Sequence, residues 1–263
     1  MLARKITILG AILTSGVISI LTPASSHADE AEENKGAGEF HYFRVTDPIG
    51  FVTAIDTHYA SECDANWQRT SGANVLLAAV SGDQATHMIY VGYPNYRKMA
   101  EGRVLFRSCA ETSAMIETIS KTTDTDSYSN VIFEPVMSFN EDSIRKYYVK
   151  TDVKIAAAKE ADYTKAFVEF LADYINGVNR DSGASFLNTS HHGINRVLFG
   201  NRDASHYVYF GGADLDILVL NMKAMLSSGE YTSFNQRVEA MRIVQNSALM
   251  EVIKAYPVER ESK

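Results

Sequence analysis

Two stretches of this chain recur in the same order, and that recurrence limits the fold more than any other feature of the sequence. Thr86-His87-Met88-Ile89-Tyr90-Val91-Gly92 returns as Ser205-His206-Tyr207-Val208-Tyr209-Phe210-Gly211, 119 residues later, with the hydroxyl, His, Tyr and Gly in matching places. Tyr42-Phe43-Arg44-Val45-Thr46-Asp47 returns as Tyr147-Tyr148-Val149-Lys150-Thr151-Asp152 after 105 residues. The 14-residue difference between the offsets assigns an insertion to the second copy, between the two matches. One supersecondary unit is therefore written twice.

Periodicity and turn residues give both copies the same element order. In the first, residues 40–45 read as a strand, and Asp47-Pro48 starts a helix whose Val52, Ile55, Tyr59, Cys63 and Trp67 share one face. Thr70-Ser71-Gly72 ends that helix. Residues 75–80 and 86–91 are strands joined by Ser81-Gly82-Asp83-Gln84. Residues 102–121 form a second helix with Leu105, Cys109, Ile116 and Ile119 inward, and residues 130–137 a fourth strand. The second copy offers a strand at 146–150, then a helix at 160–178 with Tyr163, Phe167, Phe170, Leu171 and Tyr174 inward. Strands at 194–199 and 206–210, helical stretches at 215–225 and 234–244, and a strand at 249–256 follow.

Each copy is thus βαββαβ, a ferredoxin-like unit with two helices on one face of a four-stranded antiparallel sheet. The other face carries Tyr, Val, Phe and Ile and has to be covered, most simply by the same face of the other copy. The expected class is α+β, with two tandem ferredoxin-like βαββαβ modules packed sheet to sheet as an intramolecular α/β barrel. On this topology and repeat, over about residues 39–258, the chain resembles the dimeric α/β-barrel superfamily of ABM and Dabb type, in which two such modules enclose a cavity. The resemblance implies a fold more than an activity. Its members include cofactor-free monooxygenases, haem-degrading enzymes, isomerases, haem peroxidases and stress-responsive proteins.

Outside the repeat, Arg4 and Lys5 precede an uncharged run from Ile6 to Leu21, and Ser26-His27-Ala28 closes it, the pattern of a signal peptide over residues 1–28. The run is too short and too diluted by Thr and Ser to be a spanning helix. Residues 29–38 form an acidic tether without a large apolar side chain, residues 39–143 the first module, 144–258 the second, and 259–263 a polar tail. The expected location is periplasmic or secreted, with no stable membrane insertion once the signal is removed. A net charge of −7 argues against a nucleic-acid partner. That charge is uneven, since the first module totals −7 and residues 144–263 total +1.

Cys63 and Cys109 fall at the same end of the helical layer, where an oxidising compartment permits a bridge, the alternative being two buried thiols. Glu62 and Asp64 flank Cys63 and disfavour a catalytic thiolate. His87 and His206 are equivalent positions opening the third strand of each module, and read either as an acid/base pair at the cavity rim or as an inherited structural pair. Alternation puts His87, Ile89 and Val91 on one face, Met88 and Tyr90 on the other. His191 and His192 lie in the insertion, and with Tyr42, Tyr90, Tyr147, Tyr209 and Arg44 are the candidate ligand-binding residues, Tyr207 belonging to the same cluster of strand tyrosines. His58 and Glu62, four apart, read as a local surface pair. Nothing matches a metal motif, and no cofactor is expected; haem enters only by analogy with the superfamily.

The functional expectation is an exported protein that binds a small apolar or aromatic molecule between its sheets, with monooxygenase-like or isomerase-like activity. The alternative is a non-catalytic envelope or stress-related interaction protein whose intersheet space is filled.

Overall fold

Eight antiparallel strands close into a barrel in a computed structural model that describes residues 36–140, 144–182, 187, 190–200 and 202–256. The strands are β1 (Ala37–Val45), β2 (Asn74–Ser81), β3 (His87–Tyr93), β4 (Thr123–Phe139), β5 (Tyr147–Ile155), β6 (His192–Gly200), β7 (His206–Gly212) and β8 (Arg242–Tyr256). Seven α-helices pack among the described residues: α1 (Pro48–Tyr59), α2 (Glu62–Ser71), α3 (Tyr96–Ser108), α4 (Ala110–Thr122), α5 (Glu160–Ser182), α6 (Leu215–Leu226) and α7 (Gly229–Val238). The signal and tail assignments and residues 29–35 of the tether lie outside the described residues, and the tether's expected end is corrected, because Ala37 and Gly38 already pair in β1.

Around the barrel the order is β1-β3-β2-β8-β5-β7-β6-β4. Advancing four places maps β1 to β5, β3 to β7, β2 to β6 and β8 to β4, so the internal repeat appears as a pseudo-two-fold. The two sheets face each other across the lumen and also join at their edges. β2 pairs β8 from Val75↔Tyr256 to Ser81↔Leu249, and β4 pairs β6 from Val131↔Gly200 to Phe139↔His192. Joining both seams leaves no sheet edge exposed.

Most strands are covered on both faces, whereas β8 leaves Ile243, Val244 and Ile253 exposed. The outer face of β1–β4 packs under α1–α4 around Phe51, Ile55, Trp67 and Leu77. That of β5–β8 packs under α5–α7 around Tyr163, Phe167, Phe170, Met225 and Phe234. The lumen holds a third cluster that includes Phe40, Tyr42, Met88, Phe133, Tyr148, Tyr207, Tyr209 and Met250.

The helices depart from the expected ones at two breaks. The long first helix divides at Ala60-Ser61, because Ser61 adopts an extended conformation and its hydroxyl accepts from Asp64 N at 3.2 Å, starting a new helix. The second divides at Cys109 (ψ 133°), which resets the phase. Met115 and Ile119 are consequently buried while Ile116 turns outward. The expected helix at 234–244 ends at Val238, and Ile243 and Val244 belong to β8. β4 begins at Thr123 and β5 ends at Ile155, both beyond their expected limits. Cys63, in the first turn of α2, and Cys109, at the α3–α4 break, are disulfide-bonded with Cα atoms 6.2 Å apart, so the bridge ties the two breaks together.

Candidate functional site

Strand alternation decides which side chains reach the lumen. At one end of the barrel, where β1, β2, β5 and β6 begin and the other four end, lies a cavity of about 500 Å³. Phe40, Met88, Tyr90, Phe133, Tyr207 and Met250 wall it, and no charged side chain lines it among the described residues.

Its polar feature is His191, which immediately precedes β6. Its Nδ1 lies 3.2 Å from the Tyr148 hydroxyl, and its Nε2 lies 3.2 Å from the Tyr209 hydroxyl and 3.3 Å from Ser138 Oγ. Ser138 and Tyr209 are 2.8 Å apart, and the Arg145 backbone N–H donates to the Tyr148 hydroxyl at 3.0 Å. Each ring nitrogen therefore faces a tyrosine hydroxyl. Whichever nitrogen carries the proton, the other can accept one, so the ring can pass a proton along the wall without turning. Burial holds the Tyr148 phenol above its usual pKa, against the Arg145 amide, and keeps it a neutral hydroxyl. The repeat's terminal glycine has a role here: a Cβ on Gly211 would come within 2.5 Å of the Tyr148 ring.

The opposite end of the lumen is charged. Asp83, in the β2–β3 turn, pairs with Arg202, in the β6–β7 connection, and Asn246 of β8 donates to Asp83 at 2.8 Å. Lys150 of β5 is 5% exposed and donates to Asp152, and Arg202 lies 4.3 Å from the centroid of the Tyr42 ring. Burial opposes the Lys150 charge, but Tyr42 and Asp152 outweigh it and raise its pKa, so the ammonium persists.

The candidate residues divide accordingly. His191, Tyr90 and Tyr209 line the cavity. Tyr42 lies in the lumen against the charged end. His87 and His206 do not reach the cavity, because their strand positions face the helices. The His87 ring lies 5.5 Å from that of Phe51 of α1, tilted against it, and His206 Nε2 lies 3.4 Å from Glu160. Burial lowers the pKa of both, with Glu160 opposing the shift at His206. His192 also faces outward, stacked on Phe139 and bonded to Ser190 at 2.9 Å. Tyr147 is on the outer side, with the Lys146 ammonium 5.9 Å from its ring centre, and Arg44 is exposed. Nor do His58 and Glu62 form the expected pair, since the helix breaks between them and His58 turns inward to Asp64. Tyr207, one of the strand tyrosines the sequence offers, also lines the cavity, and Tyr148 and Ser138, which the sequence does not single out, complete the site. The repeat itself held the signal for Tyr207, which matches Met88 on the face opposite His87.

Among known structures this architecture recurs at very low sequence identity. A candidate monooxygenase from Fusobacterium nucleatum superposes with a TM-score of 0.54 at 10% identity, over 85% of this chain and 94% of the other. An anthrone oxidase-like protein gives 0.54 at 12% identity over 88% and 96%. These matches span the whole barrel rather than one module. The chain has the dimeric α/β-barrel fold. Here both modules of that fold lie in a single polypeptide. A third such barrel, a candidate monooxygenase from Lactobacillus acidophilus, gives 0.52 at 8% identity over 84% and 98%. No family model matches the sequence, and no curated protein does.

Proposed function

We propose that this protein is exported and binds a small, largely apolar or aromatic molecule in the barrel cavity, where His191 exchanges a proton with it. The single observation that carries this reading is a roughly 500 Å³ aromatic cavity with one imidazole held between two tyrosine hydroxyls. A monooxygenase-like or isomerase-like reaction agrees with that arrangement, since both begin with proton removal from a bound organic molecule. The names of the similar barrels agree with it as well. The acid/base role moves from His87 and His206 to His191, because the first two face the helices. The cavity at one end of the lumen favours this reading over the alternative of a filled intersheet core. Export is supported by the N-terminal charge and apolar pattern together with the disulfide.

The residues do not fit a haem. An axial ligand would have to face the cavity, and the described histidine that does so, His191, has both ring nitrogens directed at hydroxyls. His87 and His206 point away. No step is therefore assigned to iron.

Calorimetric titration with 2-ethylnaphthalene tests the reading. Saturable 1:1 binding is expected, with Leu76→Trp, which fills the cavity from its wall, weakening it at least tenfold. Absence of binding to the native protein would overturn the proposal.

A further inference from the structure

Deep in the cavity one tyrosine stands outside the His191 network. Tyr207 is 3% exposed and lines the cavity, and its hydroxyl has no hydrogen-bond partner among the described residues. The ring is buried but the hydroxyl opens onto the cavity, so its hydrogen bond is free to be made by whatever molecule the cavity holds. The surroundings of the ring define what that partner is. Phe40 and Phe133 set their rings edge-on to it at 5.3 and 5.1 Å, forming an aromatic slot. The Lys150 ammonium lies 4.7 Å from the Tyr207 ring centre, on the side of the charged end. A cation over a phenol ring draws electron density from it, which makes the O–H a stronger donor and the oxygen a poorer acceptor. Burial raises the Tyr207 pKa well above 10, so the proton stays on the oxygen to be donated.

We propose that Tyr207 is the specificity-determining donor of the cavity, and that the ligand is a small aromatic compound presenting an uncharged carbonyl oxygen to it. This rests on the cavity-binding reading above and adds the polarity of the ligand's inner end. A carbonyl is favoured over a carboxylate because no charged side chain lines the cavity to pair with a full negative charge. Tyr207 lies deeper than Tyr209 on β7, and Lys150 deeper than Tyr148 on β5. The carbonyl thus enters first, and the rest of the molecule remains beside His191.

The test compares 2-acetylnaphthalene with 2-ethylnaphthalene on the native protein and Tyr207→Phe, by calorimetry and by infrared spectroscopy of the bound ketone. Expected for Tyr207→Phe are about tenfold weaker ketone binding, unchanged hydrocarbon binding, and a carbonyl stretch at higher frequency than in the native complex. Because the hydroxyl has no partner, the variant is also expected to melt no lower than the native protein, which separates recognition from folding. Equal ketone affinity with an unshifted carbonyl band would overturn the assignment while leaving cavity binding intact. Failure of both probes to bind the native protein would overturn the cavity reading and this assignment together.

Discussion

His58 and Asp64 are each 2% exposed and face each other across the α1–α2 break, with Nε2 and Oδ1 3.7 Å apart. Neither imidazole nitrogen has a hydrogen-bond partner, and nor does Asp64 Oδ1. Burial pushes the Asp64 carboxyl up to about 7, and burial, opposed by Glu111, lowers His58 to about 4. Between about pH 4 and 7 the pair is therefore largely uncharged rather than a salt bridge. For Asp64 the folded pKa lies above the unfolded one. Its contribution to stability is full below about 3.8 and is lost as pH rises toward 7. For His58 the folded pKa is depressed, so its contribution is present above about 6.5 and is lost as pH falls toward 4. The two slopes oppose each other between these limits and mask one another in the native protein. Asp64→Asn removes the first. Urea denaturation at pH 4, 6 and 8 is expected to show the variant gaining on the native protein as pH rises, by about 4 kcal/mol between pH 4 and 8. A variant no more stable than the native protein at pH 8 would show that Asp64 is ionised without cost.

At the scale of elements, the disulfide lies where the helices are weakest. Both breaks interrupt hydrogen-bonded turns, and Cys109 offers α4 no side-chain cap. The bridge holds α2 to the α3–α4 break across 46 residues of chain, which on loop-closure entropy contributes about 4 kcal/mol. Reduction of the intact protein, or paired Cys63→Ala and Cys109→Ala substitution, is expected to lower stability by roughly that amount, read as a drop of several degrees or more in Tm. The helix breaks were not legible from spacing, because Ile55, Tyr59, Cys63 and Trp67 keep helical periodicity straight through Ala60-Ser61. The strands were legible, and so was their alternation. What alternation could not decide is which face looks into the lumen, since helices bury one face and the opposite sheet buries the other. His87 and Tyr90 are equally credible cavity residues until the closure of the barrel turns one out and the other in. Tyr148 escapes notice for the same reason, and Tyr207 stands in the sequence as one strand tyrosine among five, only some of which reach the cavity.

At the scale of the molecule, the pseudo-two-fold explains why the modules differ in charge. Asp83 and Arg202 are separated by 119 residues, the offset that relates His87 to His206, so they occupy equivalent places in the two modules. The barrel brings these equivalent positions together as an ion pair, with side chains 6% and 18% exposed. In a symmetric pair of identical modules this position would meet its own copy, Asp against Asp or Arg against Arg, and like charges would repel inside a low-dielectric lumen. Divergence to opposite signs makes each module complementary to the other rather than to itself. A double-mutant cycle measures this. Arg202→Asp leaves three carboxylates around one buried point and is expected to cost about 3–5 kcal/mol in urea denaturation. Asp83→Arg alone sets two guanidinium groups beside one another, with Asp152 as the nearby acid, and is expected to cost less. The exchange Asp83→Arg with Arg202→Asp restores one charge of each sign at the seam and should recover most of the loss, the remainder reflecting the Asn246 bond to Asp83. Purely additive losses would show that the two positions are not coupled, and that the pairing of the modules rests on the β2–β8 and β4–β6 seams alone.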